Sequence, residues 1–99
     1  MYNYDFSNEK VKYEKTNVFV EINNEDYWFN ILITNKHILL FENINQNHVL
    51  NGRNVQMPAE NELVRAIPLD NMIKTQNGNT IINLNGDVIV IYDVEFDNI

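Results

Sequence analysis

Apolar and polar residues alternate with period two over most of this chain, most clearly from Trp28 to Phe41. Tyr27, Phe29, Ile31 and Ile33 fall on one side, and Trp28, Asn30, Leu32 and Thr34 on the other. That spacing predicts a strand with one strongly apolar face. Ile38 to Phe41 is too short an apolar run for a stable helix and follows the polar pair Asn35-Lys36, so the two runs read as a β-hairpin. Upstream, Val18, Phe19, Val20 and Ile22 are β-branched or aromatic. Asn23-Asn24-Glu25-Asp26 is a polar break that closes this stretch onto Tyr27 as a second hairpin.

Every glycine in the chain follows an asparagine: Asn51-Gly52, Asn77-Gly78 and Asn85-Gly86. The last two separate β-rich runs, and Asn-Gly is the pair that best tolerates the positive φ of a type I′ turn. Thr80 to Leu84 and Val88 to Val94 are therefore expected as consecutive antiparallel strands, preceded by Met72 to Gln76. Leu63 to Leu69 also has strand pattern, with Pro68 marking an end, an edge or a bend. Two stretches lack a clear pattern. Residues 1–14 read as a mobile arm or a short helix capped by Ser7. Residues 42–62, rich in Asn and Gln, read as a long irregular loop.

The final strand carries apolar residues on both faces. Val88, Val90, Tyr92, Val94 and Phe96 share the side expected to point inward, leaving Ile89 and Ile91 opposite and in need of cover. Trp28 lies on the less apolar side of its own strand, either covered or exposed as an interaction anchor. Trp28, Ile89 and Ile91 thus form a candidate interaction surface, for which a second copy of the chain is the simplest partner. Arg53, beside Gly52, is a further candidate contact.

Composition narrows the function classes. A chain of 99 residues makes one domain with one core. Its formal net charge of −7 argues against a nucleic-acid partner, since phosphate binding relies on clustered Lys and Arg. There are no cysteines, which excludes disulfides, thiol catalysis and cysteine-bound zinc. No run is long and apolar enough to span a membrane, and the N-terminus lacks the pattern of a signal peptide, so a cytoplasmic location is expected. Ser7 is the one serine, and His37 and His48 are the two histidines. A Ser-His-Asp arrangement would need Ser7, in the N-terminal arm, to meet a histidine of the central hairpin or the long loop and is not expected, and the spacing of His37 and His48 matches no compact metal motif. Asp93, Glu95 and Asp97 recur at period two, a pattern expected of a solvated strand face. No catalytic, cofactor or metal site is assigned, and no cofactor is expected.

Three segments carry a family resemblance: Glu9-Lys10-Val11, Ile33-Thr34-Asn35-Lys36-His37-Ile38-Leu39-Leu40-Phe41, and Ala66-Ile67-Pro68-Leu69-Asp70-Asn71-Met72-Ile73. Together the chain resembles the GRAM and bacterial PH-like domains of the pleckstrin-homology superfamily. The resemblance implies a mainly β fold: a small barrel of about seven antiparallel strands in orthogonal sheets of four and three, with a C-terminal capping helix. The chain stops after Phe96-Asp97-Asn98, where that helix would start, so a following segment, a partner or the N-terminal segment is expected to supply the cap. His37 fills the family's turn position and is expected to be structural. Phosphoinositide-binding members carry Lys and Arg around the first hairpin loop. Here that loop is Asn23-Asn24-Glu25-Asp26, so neither phosphoinositide nor membrane binding is expected. The functional expectation is a non-enzymatic protein-binding or scaffolding module. The alternative is a small acidic inhibitor from a mobile element that blocks a basic nucleic-acid-binding groove.

Overall fold

The computed structural model describes the backbone of all 99 residues and the side chains of all but 44–50 and 55–59. Eight strands form one mixed sheet: β1 Tyr2–Asn3, β2 Val11–Ile22, β3 Glu25–Thr34, β4 His37–Leu50, β5 Arg53–Pro68, β6 Met72–Gln76, β7 Asn79–Leu84 and β8 Asp87–Ile91. Their order across the sheet is β1-β5-β4-β3-β2-β8-β7-β6. All pairings are antiparallel except that of β1 with β5.

Four of the turns share one chemistry. Asn23-Asn24, Asn51-Gly52, Asn77-Gly78 and Asn85-Gly86 all have positive φ at both residues, the requirement of a type I′ hairpin, whose twist matches that of the flanking strands. At Asn35-Lys36 a different device operates. The Thr34 hydroxyl accepts the backbone N–H groups of Lys36 and His37, at 3.0 and 2.9 Å, fixing the hairpin from inside.

β2 links the two halves of the sheet, pairing with β3 along its length and with β8 from Val20 to Ile22. A bulge makes this double pairing feasible. Between Lys15 and Val18 the register with β3 shifts, and Asn17 takes φ of 53°. Its backbone N–H is satisfied by Asn30 Oδ1 at 3.0 Å. Such a bulge bends the strand and increases its local twist.

The expected closed barrel does not form. β6 pairs with β7 alone and β1 with β5 alone, so the sheet stays open, with two edges and no closing ladder. Twist nevertheless brings one face of both halves into a shared core of Val18, Val20, Phe29, Ile31, Ile33, Ile38, Leu40, Ile67, Ile82, Ile89, Ile91 and Val94. Arg65 of β5 reaches Asp87 at the β7–β8 turn, 2.9 Å away, the kind of side-chain link that holds two halves without backbone pairing. Among the described residues there is no α-helix, and the chain ends in a 3-10 turn, Phe96–Asn98.

Two more expectations are corrected. Residues 42–62 are no irregular loop: they belong to the β4–β5 hairpin, paired from His37 with Pro68 to Leu50 with Arg53 around Asn51-Gly52. The N-terminal arm is docked rather than loose. Tyr2, Tyr4 and Phe6, together with Ala66, pack on Leu32, Leu39 and Phe41 on the second face of the sheet, with Tyr2 and Phe41 edge to face at 4.8 Å. This explains why residues 29–34 of β3 and 38–41 of β4 are buried on both sides, a demand their sequences meet with near-continuous apolar runs.

The assignment of faces in the last strand is reversed. Ile89 and Ile91 are 0% exposed in the core, whereas Val88 is 44% exposed. β8 ends at Ile91, and Asp93 then takes φ of 60°, a left-handed residue that breaks the alternation. Val94 thereby turns back into the same cluster as Ile89 and Ile91, although an unbroken strand would place it beside Val88 and Val90. Asn79 Oδ1 accepts the Asp93 N–H at 2.9 Å, and the buried Thr80 hydroxyl donates to the Val94 carbonyl at 2.6 Å.

Candidate docking face

Among the described residues, the N-terminal arm covers the face of the sheet opposite the main core over β3, β4 and β5, and the Tyr2 hydroxyl reaches Glu14 near the start of β2 at 2.6 Å. Over β3, β2, β8, β7 and β6 it faces outward, and its residues fall into rows set by strand register. Trp28 stands opposite Phe19, and the Tyr92 N–H donates to the Phe19 carbonyl at 3.1 Å, which extends the row to the residue just after β8. The next row runs Asp26, Glu21, Val90, Ile81 and Lys74. Beyond it lie Val88, Asn83 and Met72.

The first row is aromatic. Phe19 meets Trp28 edge to face, centroids 5.3 Å apart, and meets Tyr92 at 5.0 Å. Phe19 and Tyr92 are half-buried by these contacts, while Trp28 is 66% exposed. Val88 and Met72 are also exposed. A contiguous aromatic and aliphatic surface rimmed by carboxylates has the composition of an interaction site. Partial burial, together with the facing carboxylates of Glu21 and Asp26, pushes the Tyr92 phenol above its ordinary pKa. The phenol therefore stays a neutral donor at the edge of this surface.

The four residues singled out from the sequence do not meet. Trp28 is exposed on this face, but Ile89 and Ile91 point into the core, and Arg53 sits exposed at the tip of the β4–β5 hairpin. The residues that accompany Trp28 are Phe19, Tyr92, Val88 and Val90. The same alternation identifies them once the inward face is known, because Phe19 and Trp28 are cross-strand partners.

A second polar cluster lies at the root of the N-terminal arm. Glu9 Oε1 accepts hydrogen bonds from Thr34 Oγ1 at 2.8 Å and from His37 Nδ1 at 2.5 Å, and Glu9 Oε2 accepts one from the Tyr4 hydroxyl. Thr34 is fully buried, its hydroxyl proton directed to Glu9 and its lone pairs occupied by the turn N–H groups. That leaves it no role as a nucleophile. The depression of about 640 Å³ beside the arm is lined by Met1, Tyr2, Asn3, Tyr4, Asp5 and Glu60, and does not reach His37. The cluster has the geometry of a clamp fastening the arm, with His37 at the turn.

Asp93, Glu95 and Asp97 do not form a strand face, since β8 ends before them. No group of three or more metal-ligating side chains occurs among the described residues. The His48 side chain lies outside them. Among the described residues no helix is long and apolar enough to cross a membrane. No family model matches the chain, and no curated protein or solved structure matches it either.

Proposed function

We propose that this chain is a non-enzymatic protein-binding module that docks its partner on the Phe19, Trp28 and Tyr92 face. The observation that carries the reading is Trp28, a large aromatic held outward by its edge-to-face contact with Phe19 and 66% exposed. An aromatic anchor fixed by neighbours loses little conformational entropy on binding, and Trp and Tyr are the residues most often found at binding hot spots. The rim of this face favours a protein over a phosphate surface: Asn23 and Asn24 turn the hairpin, and Glu25 and Asp26 follow, all four exposed. Negative charge there repels nucleic acid and anionic lipid headgroups.

The test compares partners captured by immobilised wild-type chain and by Trp28→Ala, from an extract of the cells that make it. Trp28 is exposed, so its removal is expected to leave the fold intact by circular dichroism and to weaken a captured partner by roughly 30-fold or more, the loss typical of a hot spot. Undiminished capture by a folded Trp28→Ala variant overturns the reading.

A further inference from the structure

Glu21 and Asp26 stand directly opposite one another in the β2–β3 ladder, two residues along from the Phe19–Trp28 pair. Both carboxylates therefore project on the same side of the sheet as the aromatic rings. Like charges placed directly opposite repel, and among the described residues neither carboxylate lies within salt-bridge distance of a basic side chain, the contacts of that kind being Glu9 with His37 and Arg65 with Asp87. Lys74, in the same row, lies three strands from Glu21 across Ile81 and Val90. At the usual strand spacing that is roughly 14 Å, beyond the screening length of physiological salt. A ring surface and a pair of uncompensated carboxylates thus lie side by side.

Building on the docking face proposed above, we infer that its occupant is a protein segment presenting an arginine. The guanidinium would lie on the Trp28 or Phe19 ring and donate to Glu21 and Asp26, and apolar neighbours in the segment would rest on Val88 and Val90. Arginine suits both halves of this surface. Its planar cation stacks on aromatic faces, and its fork of donors matches carboxylates. The cation also removes the Glu21–Asp26 repulsion, which favours the bound state over the free one. An acidic or phosphorylated segment meets the same carboxylates with the wrong sign. A second copy of this chain offers Lys74 as the cation of this face, but it brings the same −7 charge, which opposes association.

Trp28 is the single tryptophan, so its emission reports this face directly. The chain is titrated at low salt with a capped Leu-Arg-Leu-Arg-Leu peptide and with the same peptide carrying citrulline, the neutral isostere, in place of arginine. The expected result is a saturable emission change with the arginine peptide and at least about 10-fold weaker binding of the citrulline peptide. Affinity for the arginine peptide should fall as salt rises. Glu21→Gln/Asp26→Asn, checked for fold by circular dichroism, should abolish the difference between the two peptides. Equal binding of both peptides overturns the arginine assignment and leaves the docking face standing. No response to either peptide also overturns it, and the fate of the docking face is then read separately from capture by Trp28→Ala. A wild-type homodimer in sedimentation equilibrium that Trp28→Ala dissociates gives the face to a second copy and likewise overturns the assignment.

Discussion

Replacing Glu9 by glutamine should unfasten the N-terminal arm, and the structure indicates by how much. The Glu9 side chain is 7% exposed. Burial by itself would raise its pKa, but hydrogen bonds from Tyr4, His37 and Thr34 outweigh burial and hold it down from 4.5 to about 2. A carboxylate depressed on folding contributes stability that is fully present above 4.5 and is lost as pH falls through about 2. A depression of that size corresponds to about 3 kcal/mol. Tyr4 is pushed up to about 12, by burial first and then by its hydrogen bond to Glu9 and the charges of Glu9 and Asp5. Its contribution has the opposite sense: it is present below 10 and lost as pH rises through about 12. Glutamine keeps the shape of Glu9 but removes the charge, and its NH₂ must face at least one of the three donors that the carboxylate accepted. Urea unfolding of wild type and Glu9→Gln at about pH 7 should differ by about 2–3 kcal/mol, and the gap should shrink by more than half at about pH 3. A variant within about 0.5 kcal/mol of wild type at neutral pH, or a gap that persists undiminished into acid, would refute the reasoning.

Two further substitutions probe the C-terminal half. The Thr80 hydroxyl donates to the Val94 carbonyl at 2.6 Å and accepts the Phe96 N–H at 3.0 Å. Thr80→Val should therefore leave two groups unsatisfied and cost about 1–3 kcal/mol in urea unfolding, and a loss under about 0.5 kcal/mol would count against the turn geometry after Asp93. Ile89 and Val88 are neighbours on opposite faces, so Ile89→Asp, an unpaired charge in the core, should cost more than about 4 kcal/mol, while Val88→Asp stays within about 0.5 kcal/mol. Thermal melts showing the reverse order would invert the faces again.

The hairpins were legible because their turns need particular backbone angles and the sequence supplies residues that reach them. Asn77-Gly78 and Asn85-Gly86 mark both ends of β7, and period two marks both faces of β3. Asn51-Gly52 carried the same signal, but the flanking Asn and Gln hid the strands on either side, since pairing in a two-stranded ribbon depends little on apolar pattern. The inward face of β8 was hidden for another reason. By period two Val94 and Phe96 extend the Val88 and Val90 face, and only the left-handed turn at Asp93, which any aspartate can adopt at modest cost, moves them across. Closure of the sheet is also illegible from period two, because alternation describes each strand and says nothing about whether the end strands meet.

That openness, with the reach of the arm, bears on where a partner can bind. A sheet has two faces, and this one buries the first in its own core along both halves. The second face is divided along β3 itself. Trp28 is exposed, whereas Leu32 and Thr34, on the same side of the same strand, are buried. Asn30 marks the border: its Nδ2 donates to Asn61 Oδ1 at 2.6 Å and its Oδ1 accepts the Asn17 N–H at the bulge, while Asn61 pairs with Tyr2 of the arm. On one side of Asn30 the rings of Tyr2, Tyr4 and Phe6 cover Leu32, Leu39 and Phe41. On the other side Phe19 touches Trp28 and Tyr92, and Trp28 stands in water. The arm meets its own sheet by edge-to-face aromatic contacts and by one short ladder on the free edge of β5; β3, β2 and β8 are already paired on both sides, so the uncovered half offers only the first kind of contact, and the proposed docking rests on its rings rather than on backbone pairing.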